Sequence, residues 1–275
     1  MNNKLYNTLG IVGNPLKQSL SPSLHNYWLK QNCLKYNYRK FQINDINDLG
    51  MSLKEFQIKG FNVTIPFKKE IIQYLDKLDK TSSVLQAVNT VKNNDGILEG
   101  YNTDVSGFIT GLKYFRKLNI KKPALIIGAG GASEAIIYSL ISRGFKEIFV
   151  MNRTRKRAEA LEEKYKEVSI KNWMKMEAIN TSGLIVNTTS LGMIGYPNLL
   201  LSLKDVEKDT KVYDIVYNPL KTSLILEAEK NNLEYVTGLA MFIGQAQNSF
   251  QIWFNIVPKV NSLLIRKLKS EIITT

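Results

Sequence analysis

One cysteine and one histidine stand in a chain of 275 residues. Cys33 has no partner for an internal disulfide, which fits a reducing cytoplasm. His25 alone argues against a histidine-rich zinc site and against a serine–histidine triad built elsewhere, so no metal is implied. No apolar run reaches the ~18 residues that a membrane span requires, and no membrane partner is expected. The opening Met1-Asn2-Asn3-Lys4 lacks the apolar stretch and small-residue cleavage site of a secretory signal. Acidic side chains are in the minority, 24 against 37 basic ones, for a formal charge of +13. Such an excess attracts anions. Genome composition, with Lys, Asn and Ile abundant and Arg sparse, produces the same excess. The lysines are spread along the chain without a basic block or a nucleic-acid motif, so no nucleic-acid partner is expected.

What is present describes a globular protein. Hydrophobic residues make up 44% and charged residues 22%, and the length suffices for one large domain or two modest ones. There are no repeats, low-complexity tracts or Pro/Gly/Ser linkers. Strand-like runs alternate with amphipathic helical stretches, the pattern of parallel α/β construction. Strands are expected at Thr8–Val12, Tyr36–Ile43 and Phe61–Ile65, with a helix over Pro22–Leu34 capped by Ser21 and another over Glu70–Leu78. Val88–Lys92 and Ile97–Tyr101 flank Asn93-Asn94-Asp95-Gly96, whose Asp-Gly step favours a hairpin.

A second unit begins near a helix expected over Val105–Leu118. Strands follow at Ala124–Ile127, Glu147–Met151, Gly183–Asn187 and Lys211–Val216, with helices at Glu134–Ser142, Lys156–Tyr165 and Leu239–Phe254. With no linker between the halves, the last helix is expected to return to the first. The expected architecture is therefore α/β in two lobes with a cleft between them. The domains would be 1–104 completed by 239–275, and 105–238.

Gly128-Ala129-Gly130-Gly131-Ala132-Ser133 sits between a strand and a helix. Gly128, Gly130 and Ser133 occupy the three positions of G-x-G-x-x-G, with Ser for the last glycine. A tight turn, a close backbone and helix amides aimed at a pyrophosphate are what that spacing provides. After the next strand comes Asn152-Arg153-Thr154-Arg155-Lys156-Arg157, with no acid to hold ribose hydroxyls. Guanidinium groups suit a 2′-phosphate instead, so NADP is favoured over NAD. The other reading, a solvated basic helix start, is electrostatically awkward at a helix N-terminus.

Two polar clusters lie in the first half. Asn62-Val63-Thr64-Ile65-Pro66-Phe67-Lys68 places a lysine just beyond a strand, and Gly100-Tyr101-Asn102-Thr103-Asp104 follows about one strand later. Loops on a rigid sheet edge are where catalytic groups tend to sit. With these stand Ser19-Leu20-Ser21-Pro22-Ser23-Leu24-His25-Asn26, Ala87-Val88-Asn89-Thr90, Asn187-Thr188-Thr189-Ser190-Leu191-Gly192-Met193, Tyr217-Asn218-Pro219 and Met241-Phe242-Ile243-Gly244-Gln245-Ala246. In that order and almost from end to end, the chain resembles the shikimate dehydrogenase family. One departure is Gln18, where the family usually has His.

The resemblance implies an N-terminal substrate domain and a Rossmann-type NADP domain. It implies reversible NADPH-dependent reduction of 3-dehydroshikimate to shikimate, on the route to chorismate and the aromatic amino acids. Lys68 and Asp104 carry over as the catalytic pair. Ser19, Ser21, Thr64, Lys68, Asn89, Asp104, Tyr217 and Gln245 carry over as substrate contacts. Gly128, Ala129, Gly130, Gly131, Ala132, Asn152, Arg153, Thr154, Arg157, Ile215 and Gly238 would line the cofactor. Members of the family are monomers or homodimers.

The residue chemistry is consistent in itself. A small polyol carboxylate needs many neutral hydrogen-bonding groups, which Ser, Thr, Asn, Gln and Tyr supply. Reducing a ketone leaves an alkoxide to be protonated, work for an ammonium oriented by a carboxylate. Each residue also has a plainer reading. Lys68 reads as a solvated helix-start lysine like Lys69, and Asp104 as a helix N-cap. Ser19 and Ser21 read as capping hydroxyls, and Met241 and Phe242 as packing. His25 reads as a packed, hydrogen-bonded residue rather than a base. The alternatives for the whole chain are a broader quinate/shikimate dehydrogenase tolerating NAD, and a non-catalytic NADP-binding regulator.

Overall fold

The computed structural model describes residues 7–49 and 58–272; the Met1–Lys4 opening lies outside them. Thr8–Gly13 (β1), Asn37–Gln42 (β2), Gly60–Val63 (β3), Lys77–Leu78 (β4), Thr90–Asn94 (β5) and Ile97–Tyr101 (β6) form one sheet, in the order β2-β1-β3-β5-β6-β4. β1 is parallel to both β2 and β3, whereas β5 runs antiparallel to β3 and β6. The ends of β1, β3 and β6 and the start of β5 therefore share one edge. The β5–β6 hairpin turns at Asp95 and Gly96 with φ of 51° and 92°, the left-handed pair expected of an Asp-Gly turn.

Ala124–Ile127 (β7), Ile148–Met151 (β8), Val168–Lys171 (β9), Leu184–Asn187 (β10), Lys211–Asp214 (β11) and Glu234–Val236 (β12) form a second sheet, all parallel, in the order β12-β11-β10-β7-β8-β9. The order reverses between β7 and β10, the doubly wound arrangement whose switch point holds dinucleotides. Both faces are covered, so its strands read as continuous apolar runs. Ala124 and Ile126 join one core with Ile136, Leu140 and Val150. Leu125 and Ile127 join the other with Ile185, Val212 and Leu224.

The chain divides into two compact units, one running to Thr103 and resumed by Gln245–Glu271, the other Asp104–Gly244. The return falls inside the helix Gly238–Phe254. Within the first unit, Trp253 donates through Nε1 to the Val91 carbonyl at 2.9 Å, and Trp28 Nε1 donates to the Lys259 carbonyl at 3.0 Å. The C-terminal segment thus packs on the first sheet. Among the described residues, no helix is long and apolar enough to cross a membrane.

Several elements differ from expectation. Glu70–Leu78 is not a helix: a 3-10 turn over Glu70–Tyr74 gives way to β4, which pairs with β6. The Asp76 amide donates to the Leu98 carbonyl at 2.9 Å and the Leu98 amide to Asp76 Oδ2 at 2.8 Å, so sheet pairing overrides helical periodicity. Ser21 is the first helical residue of Ser21–Gln31 rather than its cap; Leu20 takes that position without a side-chain bond. Asp104 likewise begins its helix, which stops at Leu112 where Tyr114 and Phe115 turn back by i→i−3 bonds. β9 and β12 have only four and three residues, too few for a periodic signal; β6 and β7 have the expected bounds, and the other expected strands shift by one or two residues at an end.

His25 is fully buried in the first unit, stacked on Tyr38 at 4.4 Å between ring centroids and flanked by Trp28, Phe250 and Trp253. Neither ring nitrogen has a hydrogen-bond partner, contrary to expectation. Burial pushes its pKa down to about 3, so the ring is neutral and packs as an aromatic. The unfolded imidazole, with its pKa near ~6.5, binds the extra proton between those values. Stability is therefore fully present above ~6.5 and lost as pH falls towards 3, by about 3 kcal/mol at pH ~4.5. His25→Phe is expected to flatten this acid limb in denaturant titrations. Parallel losses in wild type and variant would contradict the assignment.

Candidate active site

At the shared edge of the first sheet, β1 and β3 deliver two loops held together by backbone. The Thr64 amide donates to the Val12 carbonyl at 2.9 Å and the Asn14 amide to the Ile65 carbonyl at 3.0 Å. Ser19 Oγ donates to Ser21 Oγ at 3.2 Å and accepts from the Ser21 amide, which places both hydroxyls together at the start of the first helix. Lys68 lies just past β3, and its carbonyl accepts from the Val88 amide at 2.8 Å, next to Asn89. Lys68 is half-buried where Lys69 is exposed, so the two neighbours are not equivalent solvated lysines.

Beneath this edge lies a buried polar network that motif reading did not single out. Tyr38 donates to Asn62 Oδ1 at 2.7 Å, and Asn62 Nδ2 faces the Asn89 carbonyl, Thr90 Oγ1 and Ser249 Oγ at 3.0–3.1 Å. Asn89 Oδ1 accepts from the Thr103 amide at 2.7 Å and from Thr103 Oγ1 at 3.1 Å. Ser249 donates to the Gln245 carbonyl at 3.0 Å. Burial pushes the Tyr38 phenol well above its ordinary pKa, keeping it a donor. Each member would cost about 1–3 kcal/mol if left unpaired, so the network sets one arrangement of Asn89, Thr103 and the helix turn carrying Gln245. Asp104, itself buried, follows Thr103 directly. The available signal was Asn62, a polar residue inside an otherwise apolar strand.

In the second unit the turn after β7 meets the start of the loop after β10. Gly128 has φ of +114°, and a Cβ there would come within 2.6 Å of Thr188 Oγ1, so the turn demands glycine on both counts. At Gly130 and Gly131 a Cβ would meet nothing within 4 Å. That open surface, with the first-turn amides of the helix Gly131–Ser142, suits a pyrophosphate. Ser133, at the third position of the glycine pattern, is fully buried. Its Oγ accepts from the Gly130 amide at 3.0 Å and lies 2.7 Å from Thr188 Oγ1, which donates to the Ile127 carbonyl at 2.8 Å. With the threonine proton committed, the serine hydroxyl donates to Thr188. The departure from glycine thus adds a chain of hydroxyls across the switch point.

β8 ends at Met151, and no acid stands in the first turn of the helix Arg155–Lys164. Asn152 Nδ2 donates to the Thr154 carbonyl at 2.7 Å, closing the turn. Arg155 pairs with Glu159 at 3.1 Å, while Arg153 and Arg157 are exposed and form no ion pair among the described residues. These residues fit a dinucleotide carrying a 2′-phosphate. Gly238 donates to the Val216 carbonyl at 3.2 Å, and a Cβ on it would lie 2.1 Å from the Ile215 carbonyl, so only glycine allows that approach. Tyr217 stacks on Phe242 at 4.8 Å. Among the described residues no cluster of His, Cys, Asp or Glu has the makings of a metal site.

A doubly wound dinucleotide sheet and a second α/β unit with a hydroxyl- and amide-rich edge define the class: a two-unit, nicotinamide-dependent oxidoreductase fold. The family model for the shikimate dehydrogenase substrate binding domain matches residues 11–91, and that for shikimate / quinate 5-dehydrogenase matches residues 112–216. The chain belongs to the shikimate dehydrogenase family. A shikimate dehydrogenase (NADP(+)) of Pelagibacter ubique is 38% identical over 263 residues, covering 95% of this chain and 98% of that protein. The crystal structure of shikimate dehydrogenase from Aquifex aeolicus superposes with a TM-score of 0.89 at 35% identity, covering 98% of this chain and 100% of the other. The shikimate 5-dehydrogenase of Thermus thermophilus, in complex with NADP(H) and shikimate, superposes at 0.86 with 31% identity, covering 96% and 99%.

Proposed function

We propose that this protein catalyses the reversible NADPH-dependent reduction of 3-dehydroshikimate to shikimate, with Lys68 and Asp104 as its proton-transfer pair. The observation that carries the reading is the gathering of neutral hydroxyls and amides beside one half-buried lysine, in a chain whose other unit is a dinucleotide sheet. Ser19, Ser21, Thr64 and Asn89 offer donors and acceptors to a polyol carboxylate without surplus charge, and Tyr217 and Gln245 complete the set. NADPH, when bound, supplies the hydride. The Lys68 ammonium gives a proton to the carbonyl oxygen as charge develops there, and takes it back in oxidation. Asp104 orients the amine. Gly128, Ala129, Gly130, Gly131 and Ala132 hold the pyrophosphate, Asn152, Arg153, Thr154 and Arg157 the adenosine 2′-phosphate, and Ile215 and Gly238 the nicotinamide end.

The substrate domain is 1–104 with 239–275, and the cofactor domain 105–238. The lone Cys33 supports a cytoplasmic place. No nucleic acid is needed by this chemistry, and the protein works as a monomer or homodimer. Nicotinamide absorbance during shikimate oxidation tests the reading, with NAD⁺ and quinate as parallel arms. Rapid reduction with shikimate and NADP⁺ alone is expected. Comparable rates with quinate or NAD⁺ would point to a broader enzyme, and silence in every arm from protein that binds NADP⁺ would refute catalysis.

A further inference from the structure

Asp214 ends β11 with its carboxyl fully buried, and no lysine or arginine among the described residues pairs with it. Burying an uncompensated carboxylate is costly unless directed donors satisfy it. Three do: Asn187 Nδ2 at 3.0 Å and the Val216 amide at 3.0 Å to Oδ1, and Thr222 Oγ1 at 2.6 Å to Oδ2. Burial raises its pKa to about 6. These donors come from different places. Asn187 ends the neighbouring β10, Val216 lies in the loop after β11, and Thr222 caps the helix Ser223–Lys230 that closes that loop.

Further bonds make the two loops one body. Asn187 Oδ1 accepts from the amide and hydroxyl of Thr189 at 3.0 and 2.7 Å, and its Nδ2 reaches the Leu191 carbonyl at 3.1 Å. The Ile194 amide donates to the Asn218 carbonyl at 3.2 Å. Gly192 sits against Thr222, where a Cβ would come within 3.1 Å of the threonine Cβ. The first loop begins with Thr188, which packs against Gly128. The second carries Ile215 one residue after the carboxylate and Tyr217 three residues after it.

We propose that Asp214 is a positioning residue, whose carboxylate clamps the loops after β10 and β11 and so sets the placement of Ile215 and Tyr217 against the reacting centre. This rests on the activity proposed above. The clamp needs an acceptor on both oxygens. The amide introduced by Asp214→Asn would present an N–H₂ to one of the three donors. Pyrophosphate binding falls to the turn after β7, whose contact with the clamped loop runs through Thr188 and Ser133 and not through Asp214.

Asp214→Asn, Thr222→Val and Thr222→Ser would be compared with wild type by NADP⁺ affinity (fluorescence), thermal melting, and kcat and KM for shikimate. Asp214→Asn and Thr222→Val are expected to keep NADP⁺ affinity within about twofold and to lower kcat about tenfold or more, since ångström misplacement of reacting groups has effects of ~10²-fold. Thr222→Ser, which retains the hydroxyl, is expected to restore kcat to within about twofold. Unchanged kcat in Asp214→Asn and Thr222→Val would overturn the proposal. So would a loss that saturating NADP⁺ restores, or one that Thr222→Ser shares in full. If Asp214→Asn does not fold, the Thr222 pair decides alone. An inactive wild type would instead sink the activity itself and this inference with it, whereas an active wild type with active variants sinks the clamp only.

Discussion

Replacing Lys68 by alanine is expected to lower kcat for shikimate oxidation by ~10²–10⁴-fold, the usual contribution of a positioned acid or base. NADP⁺ affinity and melting temperature are expected to stay close to wild type. The structural role of position 68 is carried by backbone, since its carbonyl accepts from the Val88 amide and alanine preserves that bond. Its side chain is half-buried at a loop, outside the apolar core of Val12, Phe61, Val63, Phe67 and Val91. Lys68→Arg is not expected to rescue turnover, because a guanidinium stays protonated and cannot accept the proton that oxidation releases. Lys69→Ala, one residue on and exposed, is the matched control and should be close to wild type. Steady-state rates in both directions check this, and a Lys68→Ala enzyme within a few fold of wild type would remove Lys68 from the mechanism.

Replacing Arg153 and Arg157 together by alanine is expected to reduce the preference for NADP⁺ over NAD⁺ by ~10²-fold. Hydrogen bonds to charged groups contribute about 1.5–3 kcal/mol each, and both guanidinium groups are exposed and so partly screened by salt. The loss should fall on NADP⁺ alone, since NAD⁺ has no 2′-phosphate. Neither arginine is engaged in an ion pair among the described residues, so folding should not suffer. The ratio of kcat/KM for the two cofactors, measured at two ionic strengths, is the readout. An unchanged ratio would remove both side chains from cofactor selection.

Much of this molecule is legible in its residue order. β7 is a four-residue apolar run between a basic turn and a glycine turn, and such a run must be buried on both faces. The glycine turn itself is legible because only glycine tolerates the backbone at Gly128. The Asp95-Gly96 hairpin is legible for the same local reason. Failures came where long-range pairing decided the outcome. The Glu70–Leu78 run has helical spacing, yet the free edge of β6 captured Lys77–Leu78 as a strand. His25 was expected to be hydrogen-bonded, and only the packing of Tyr38, Trp28, Phe250 and Trp253 around it shows a neutral aromatic.

Residue order was enough for the class of fold, the family and NADP as the cofactor. Each of these rests on ordered motifs, on local backbone demands or on charge at one short segment. Folding had to supply the polar network joining Asn62 and Asn89 to Ser249, the hydroxyl chain through Ser133 and Thr188, and the clamp at Asp214. The pairs Asn62–Asn89, Asn62–Ser249, Ser133–Thr188 and Asn187–Asp214 lie 27 to 187 residues apart. A buried donor or acceptor gains its meaning from the partner that folding brings to it, and no periodicity along the chain records which partner that will be.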